Sequence, residues 1–254
     1  MNRGILYSDL QKNELALADL NKAIAIDSNF ALAYNNRGNL YKKLQKYDLA
    51  LADYNQAINL NSNFAHTYYN RGNLYSDLQK YDLALADYNQ AITLNPNFAE
   101  AYMNRGVVYL VLEKYDLALV DFNQAINLNL NLNLNKAYIN RGFIYIVFQK
   151  YELALVDFSK AINLDSNDAE AYNNRGRVYL ALQKYELALT DFNKAISIDS
   201  NLALTYKNRG LLYSELKKYN LALADYKKAA DLFKQQGDTI RYESVMQFVK
   251  KLGG

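Results

Sequence analysis

The chain has no cysteine, no tryptophan, one proline and one histidine in 254 residues. Each shortage excludes something. Without cysteine there is no disulfide scaffold, thiolate metal site or cysteine nucleophile, and His66 has no second imidazole with which to hold a metal. One proline leaves few rigid turns, strand edges or linkers to punctuate the chain. A dominant charge is missing too. Lys+Arg 29 against Asp+Glu 26 gives a net charge of +3, a mixed-sign balance that does not point to nucleic acid. The longest apolar runs, Val107–Leu112 and Phe143–Phe148, fall far short of a bilayer, and the first residues carry no apolar signal core. There is no P-loop, dinucleotide glycine loop, H-E-x-x-H or EF-hand loop. The many Asn and Asp are expected in turns and helix caps. A non-catalytic, cytoplasmic protein without a membrane span, cofactor or metal is expected.

What is present is apolar and repetitive. With 51% hydrophobic residues the chain is too apolar for disorder and long enough for a sizeable core. The tripeptide Asn-Arg-Gly recurs with its glycine at positions 4, 38, 72, 106, 142, 176 and 210, in steps of 34 apart from one of 36. Seven of the ten glycines sit in this slot. Relative to each glycine a tyrosine lies four before (Tyr34, Tyr68, Tyr102, Tyr138, Tyr172, Tyr206) and three after (Tyr7, Tyr41, Tyr75, Tyr109, Tyr145, Tyr179, Tyr213). That spacing places the rings on one helix face flanking the glycine, and most of them are expected in the core. A second helix follows, with alanine twelve after the glycine, an aromatic or leucine at sixteen and another alanine at nineteen. Glycine on one helix and alanine on the other let two backbones approach closely. One such hairpin cannot bury both faces, so the units must stack into a solenoid.

These residues resemble the tetratricopeptide repeat family. Its pattern W-x2-L-G-x2-Y…A-x3-F…A…P is matched as Tyr34-x2-Arg37-Gly38-x2-Tyr41…Ala50-x3-Tyr54…Ala57 and its copies, with Tyr for Trp, Arg for Leu and the final proline kept only as Pro96. The resemblance implies an all-α superhelix of seven hairpins plus a closing helix, in one domain over 1–254. The repeats are expected at about 1–30, short of the start of its leading helix, then at 31–64, 65–98, 99–134, 135–168, 169–202 and 203–236. The closing helix is expected over 238–252, with Ile240, Val245, Met246, Val249 and Leu252 at helical spacing and Asp238 as N-cap. The close similarity of the copies resembles bacterial, cyanobacterial-like arrays of this family.

Two charged slots also recur. Arg precedes each of the seven repeat glycines, and an Asp follows the glycine by fifteen (Asp19, Asp53, Asp87, Asp121, Asp157, Asp191, Asp225), so an ion pair inside or between repeats is expected. The step of 36 comes from the Asn-Leu alternation of residues 127–135, read as an enlarged turn or an extra part-turn of helix.

Function is expected where the copies differ. In proteins resembling this family the first helices line the concave groove. The groove stripe comprises the residues six and three before the glycine and one, four and five after it. It is polar in the second and third copies (Leu32, Asn35, Asn39, Lys42, Lys43; His66, Tyr69, Asn73, Ser76, Asp77) and turns apolar in the middle. Met103, Val107, Leu110, Val111, Ile139, Phe143, Ile146 and Val147, with Arg177 and Leu180, form the expected binding patch, rimmed by Glu100, Lys136 and Glu170. Asn39, Asn70, Asn73, Asn104 and Asn140 are the candidate polar flank, and the asparagines two before each glycine are candidates for binding peptide backbone. The expected partner is a peptide or helix of another protein, held by a scaffold or adaptor. The alternative is an assembly protein that homo-oligomerises through the apolar groove or the open N-terminal end. The family's carboxylate clamp is matched only in its asparagines: Asn35 or Tyr69 replaces its first Lys and Asn104 or Asn140 its final Arg, although Lys136 occupies the other basic slot.

Overall fold

The structure, a computed structural model, describes residues 13–128 and 134–253, and over these every regular element is a helix. Arg3, Gly4, Tyr7 and the centre of the Asn-Leu tract lie outside the described residues. The chain divides between residues 130 and 131 into two compact units.

The first unit holds α1 (Asn13–Ile26) and three hairpins: α2 (Ala31–Lys43) with α3 (Tyr47–Leu60), α4 (Ala65–Asp77) with α5 (Tyr81–Leu94), and α6 (Ala99–Val111) with α7 (Tyr115–Asn127). The second unit holds α8 (Leu134–Val147) with α9 (Tyr151–Leu164), α10 (Ala169–Ala181) with α11 (Tyr185–Ile198), α12 (Ala203–Glu215) with α13 (Tyr219–Gln235), and a last helix α14 (Thr239–Lys251). No described helix is long and apolar enough to cross a membrane.

Each hairpin is closed by one contact. The ring sixteen residues after the glycine lies directly on it: a methyl group placed on Gly38 would fall 2.7 Å from Cε1 of Tyr54, and one on Gly142 would fall 2.8 Å from Cε1 of Phe158. Ala50, Ala57 and their equivalents in the other hairpins are fully buried on the same face of the second helix. Large rings thus fill the space that small residues open, at interior packing density.

The hairpin turn is equally uniform. Lys46 N–H donates to the Tyr41 carbonyl and Gln45 N–H to the Lys42 carbonyl, the paired bonds of a Schellman motif. Its left-handed position holds Gln45, Gln79, Glu113, Gln149, Gln183 or Lys217, with φ between 55° and 58°, so each hairpin tolerates a strained non-glycine residue there. Between hairpins, the Asp27, Asn61, Asn95, Asp165 and Asp199 side chains accept from the backbone N–H two residues on. This is the turn role expected for Asn and Asp.

The Arg to Asp pair is present in all six described hairpins. Arg105 Nε and Nη2 bond the two carboxylate oxygens of Asp121 at 2.8 and 2.6 Å, and the fork is repeated at Arg37–Asp53, Arg71–Asp87, Arg141–Asp157, Arg175–Asp191 and Arg209–Asp225. The third nitrogen reaches the preceding repeat: Arg37, Arg71, Arg105 and Arg209 donate through Nη1 to Asn21, Asn55, Asn89 and Asn193. One side chain therefore joins its own two helices and the preceding repeat.

Two expectations change. The tyrosines flanking the glycine are mostly half-buried. They sandwich the arginine, as Tyr102 and Tyr109 do at 5.5 and 5.9 Å from the Arg105 guanidinium carbon. Residues four before and three after the glycine stand three before and four after the arginine, which is the helical neighbour they bracket. In α14, Val245 and Val249 are buried against Phe233 and Leu232, and Phe248 stacks on Tyr226, but Ile240 is 82% exposed. Five residues separate Ile240 from Val245, which turns it off the buried face. Asp238 caps α14 as expected, accepting from Arg241 N–H.

Arg105→Leu and Asp121→Leu should each cost about 3 kcal/mol by stranding a buried charge. The double variant should cost clearly less than the sum in urea unfolding, and additive losses would contradict the pairing.

Candidate functional site

Within each unit a second helix packs against its own first helix and against the first helix of the next hairpin. Successive first helices also touch: α2 with α4 and α4 with α6, then α8 with α10 and α10 with α12. The first helices thus form a row in each unit, and the expected stripe lies on that row.

The stripe does not behave as one surface. The slot three before the glycine is closed in four of the six described hairpins: Met103 and Ile139 are only 6% and 4% exposed, and Asn35 and Asn173 are equally buried, while Tyr69 and Lys207 are half-buried. Its polar members take part in a joint between hairpins. Asn70 donates to Asn35 Oδ1 at 3.0 Å, Asn208 to Asn173 Oδ1 at 3.0 Å, and Asn104 to the Tyr69 hydroxyl at 3.1 Å. Asn70, Asn104 and Asn208 thus spend amide protons on the scaffold, where the sequence suggested a peptide backbone. Met103 and Ile139 belong to the packing.

The slot one after the glycine explains itself through the core ring. Tyr54 donates its hydroxyl to Asn39 Oδ1 at 2.7 Å, and Tyr88 donates to Asn73 Oδ1 at 2.8 Å. Both rings are essentially inaccessible, so each phenol needs that acceptor. In the next three hairpins the ring is Phe122, Phe158 or Phe192. It has no hydroxyl, and the paired slot holds Val107, Phe143 or Arg177. In the last hairpin Tyr226 is 3.2 Å from Ser214 Oγ, which leaves Leu211 without that duty. Asn occupies the slot where the core phenol bonds to it, and Val, Phe, Arg or Leu occupies it where no phenol does. This coupling is present in the sequence, but it has meaning only once the two slots are known to touch.

In the first unit a cavity of about 320 Å³ is lined by Lys42, Asn73, Ser76, Asp77, Tyr88, Asn104 and Val107. An ion pair, Lys42 Nζ to Asp77 at 2.8 Å, spans its floor from α2 to α4. Val107 and Leu110 are half-buried and Val111 is 54% exposed on α6. His66 is exposed, as expected, with its ring 4.8 Å from that of Phe98. In the second unit Phe143, Ile146, Arg177 and Leu180 are half-buried and Val147 is exposed. Asn140 is half-buried on the same helix as Phe143.

One surface was not foreseen. Leu49, Leu83, Leu117, Leu153, Leu187 and Leu221, one residue before the buried alanine of each second helix, are each about half exposed. The signal was a leucine eleven after every glycine, which the alanine pattern obscured.

The repeat, its hairpin and its row of first helices are those of a known family. Models described as "TPR repeat" match residues 4–45, 38–79, 72–112 and 148–183, and models described as "Tetratricopeptide repeat" match 99–132, 169–202 and 203–236. The chain belongs to the tetratricopeptide repeat family. No curated protein matches it in sequence. Among solved structures, tetratricopeptide repeat protein YrrB, described as having an unusual peptide-binding site, is 27% identical over 75% of this chain and 97% of its own, with a TM-score of 0.59. A tetratricopeptide repeat protein from Parabacteroides merdae is 22% identical over 100% and 97%, with a TM-score of 0.68. PilF from Pseudomonas aeruginosa is 15% identical over 85% and 96%, with a TM-score of 0.73. The latter two share the fold.

The core phenols carry a pH consequence. Burial pushes Tyr54 and Tyr88 well above the ordinary tyrosine range, so the folded chain keeps them neutral where the unfolded chain ionises near pH 10. Stability from these groups is complete below that pH and is lost as pH rises above it. Between pH 8 and 11, Tyr54→Phe should lose about 1 kcal/mol less unfolding free energy than the parent in urea titrations. An equal loss in both would contradict the buried phenol.

Proposed function

We propose that this tetratricopeptide repeat protein is a non-catalytic scaffold that holds a segment of another protein along its first helices. The observation that carries the reading is the division of the slot after the glycine. Asn39 and Asn73 are occupied by core phenols, whereas Val107, Phe143 and Arg177 have no such partner and lie on the row of first helices. Contacts would come from Val107, Leu110 and Val111 in the first unit, and from Phe143, Ile146, Val147, Leu180 and Arg177 in the second. Half-buried apolar side chains on a row of rigid helices offer pockets at little ordering cost. The likeness to YrrB, described as having a peptide-binding site, supports the same use of the array. Glu100 borders the contacts of the first unit and Lys136 and Glu170 those of the second, and the polar first helices α2 and α4 give the first unit a hydrogen-bonding flank.

Peptides selected from a random library on the full chain should bind Val107→Ser or Phe143→Ser at least about tenfold more weakly, with helicity by circular dichroism unchanged. Unchanged affinity would reject the site. A mass by light scattering that drops from dimer to monomer on Phe143→Ser would instead assign the stripe to self-assembly.

A further inference from the structure

Among the described residues Arg177 is the one arginine without an ion pair; Arg37, Arg71, Arg105, Arg141, Arg175, Arg209 and Arg241 all have one. Its hydrogen bond is to a neutral group, Nη1 to Asn174 Oδ1 at 3.2 Å. Burial holds Arg177 below the ordinary arginine value, which marks a guanidinium partly stripped of water without a countercharge. The nearest acidic group on the same helix face, Glu170, interacts with Lys136 and Asn174. The core ring packed on the adjacent Gly176 is Phe192, fully buried and without a side-chain polar atom. Nothing inside the hairpin uses the charge.

The neighbours fix the ligand's pattern. In the same slot, Phe143 lies on α8 to one side and Leu211 on α12 to the other, and α10 touches both helices. A chain passing Arg177 continues over apolar ground in both directions, so the anion belongs inside a segment and not at its end. Packed helices lie roughly 8 to 10 Å apart and an extended chain advances about 3.3 Å per residue. One helix therefore corresponds to about three ligand residues.

We propose that Arg177 recognises the side-chain carboxylate of an Asp or Glu within an extended segment of a partner protein, and that the segment carries bulky apolar residues about three positions before and after it. The inference rests on the groove reading above and adds the ligand's chemistry. Guanidinium and carboxylate pair through two parallel hydrogen bonds, worth more in a half-dry groove than in water.

The test is selection of random twelve-residue peptides, displayed with amidated C-termini, on the full chain and on Arg177→Gln. The parent should enrich an acidic residue flanked at three positions by Leu, Ile, Phe or Met. Arg177→Gln should keep the apolar positions and lose the acidic one. For a synthetic peptide so selected, Glu→Gln at the centre should weaken binding to the parent at least tenfold and leave binding to Arg177→Gln unchanged. Apolar enrichment without the acid, or acid enrichment that survives Arg177→Gln, would overturn the inference and leave the groove reading standing. Binding that needs a free C-terminal carboxylate would overturn it in favour of a chain end. No enrichment, or enrichment indifferent to Phe143→Ser, would overturn the groove reading and the inference together. Should Arg177→Gln fail to fold, the Glu→Gln comparison on the parent decides: equal affinities would overturn the proposal.

Discussion

Everything in this chain depends on how closely a ring approaches a glycine. A methyl on any of the six described repeat glycines would fall 2.7 to 3.0 Å from a ring carbon of the second helix, so no other residue fits without displacing the core. The arginine next to the glycine is held in turn by Asp and two tyrosine faces, and in five of the six described hairpins by an Asn or Ser of the preceding one. This couples the hairpin's inner contact to the contact with the previous hairpin. The hairpin and the stack are thus one device, which is why a short-range pattern repeated down the chain builds a row of packed hairpins in each unit.

The same ring reaches the first-helix stripe. Where it carries a hydroxyl, as Tyr54 and Tyr88 do, a buried donor must be satisfied and the slot after the glycine is Asn. Where it is Phe122, Phe158 or Phe192, the slot is free of that demand and holds Val, Phe or Arg. In these five hairpins the core ring and the slot residue vary together, whereas in the sixth the Tyr226 hydroxyl lies 3.2 Å from Ser214 Oγ and the slot holds Leu211.

Much of this was legible in the sequence. The period, the glycine and alanine contacts, the ring at sixteen and the Arg to Asp pair each show as invariant columns, because identical environments recur in every copy. Other features needed coordinates. The tyrosines around each arginine read as core because helical spacing gives a face and not a depth. Met103 and Ile139 share the first-helix stripe with Val107 and Phe143, yet both are buried, and contact between copies leaves no mark in the spacing. Asn70 and Asn208 looked free for the same reason: their acceptors lie 35 residues away in the preceding hairpin.

The coupling of core ring to groove residue is most directly measured by a double-mutant cycle on Asn39→Val and Tyr54→Phe, read by urea unfolding. Asn39→Val alone should cost about 1 to 3 kcal/mol, because it strands a buried phenol. The double variant, which recreates the Phe122 and Val107 pairing, should recover most of that loss. Costs that simply add would contradict the account.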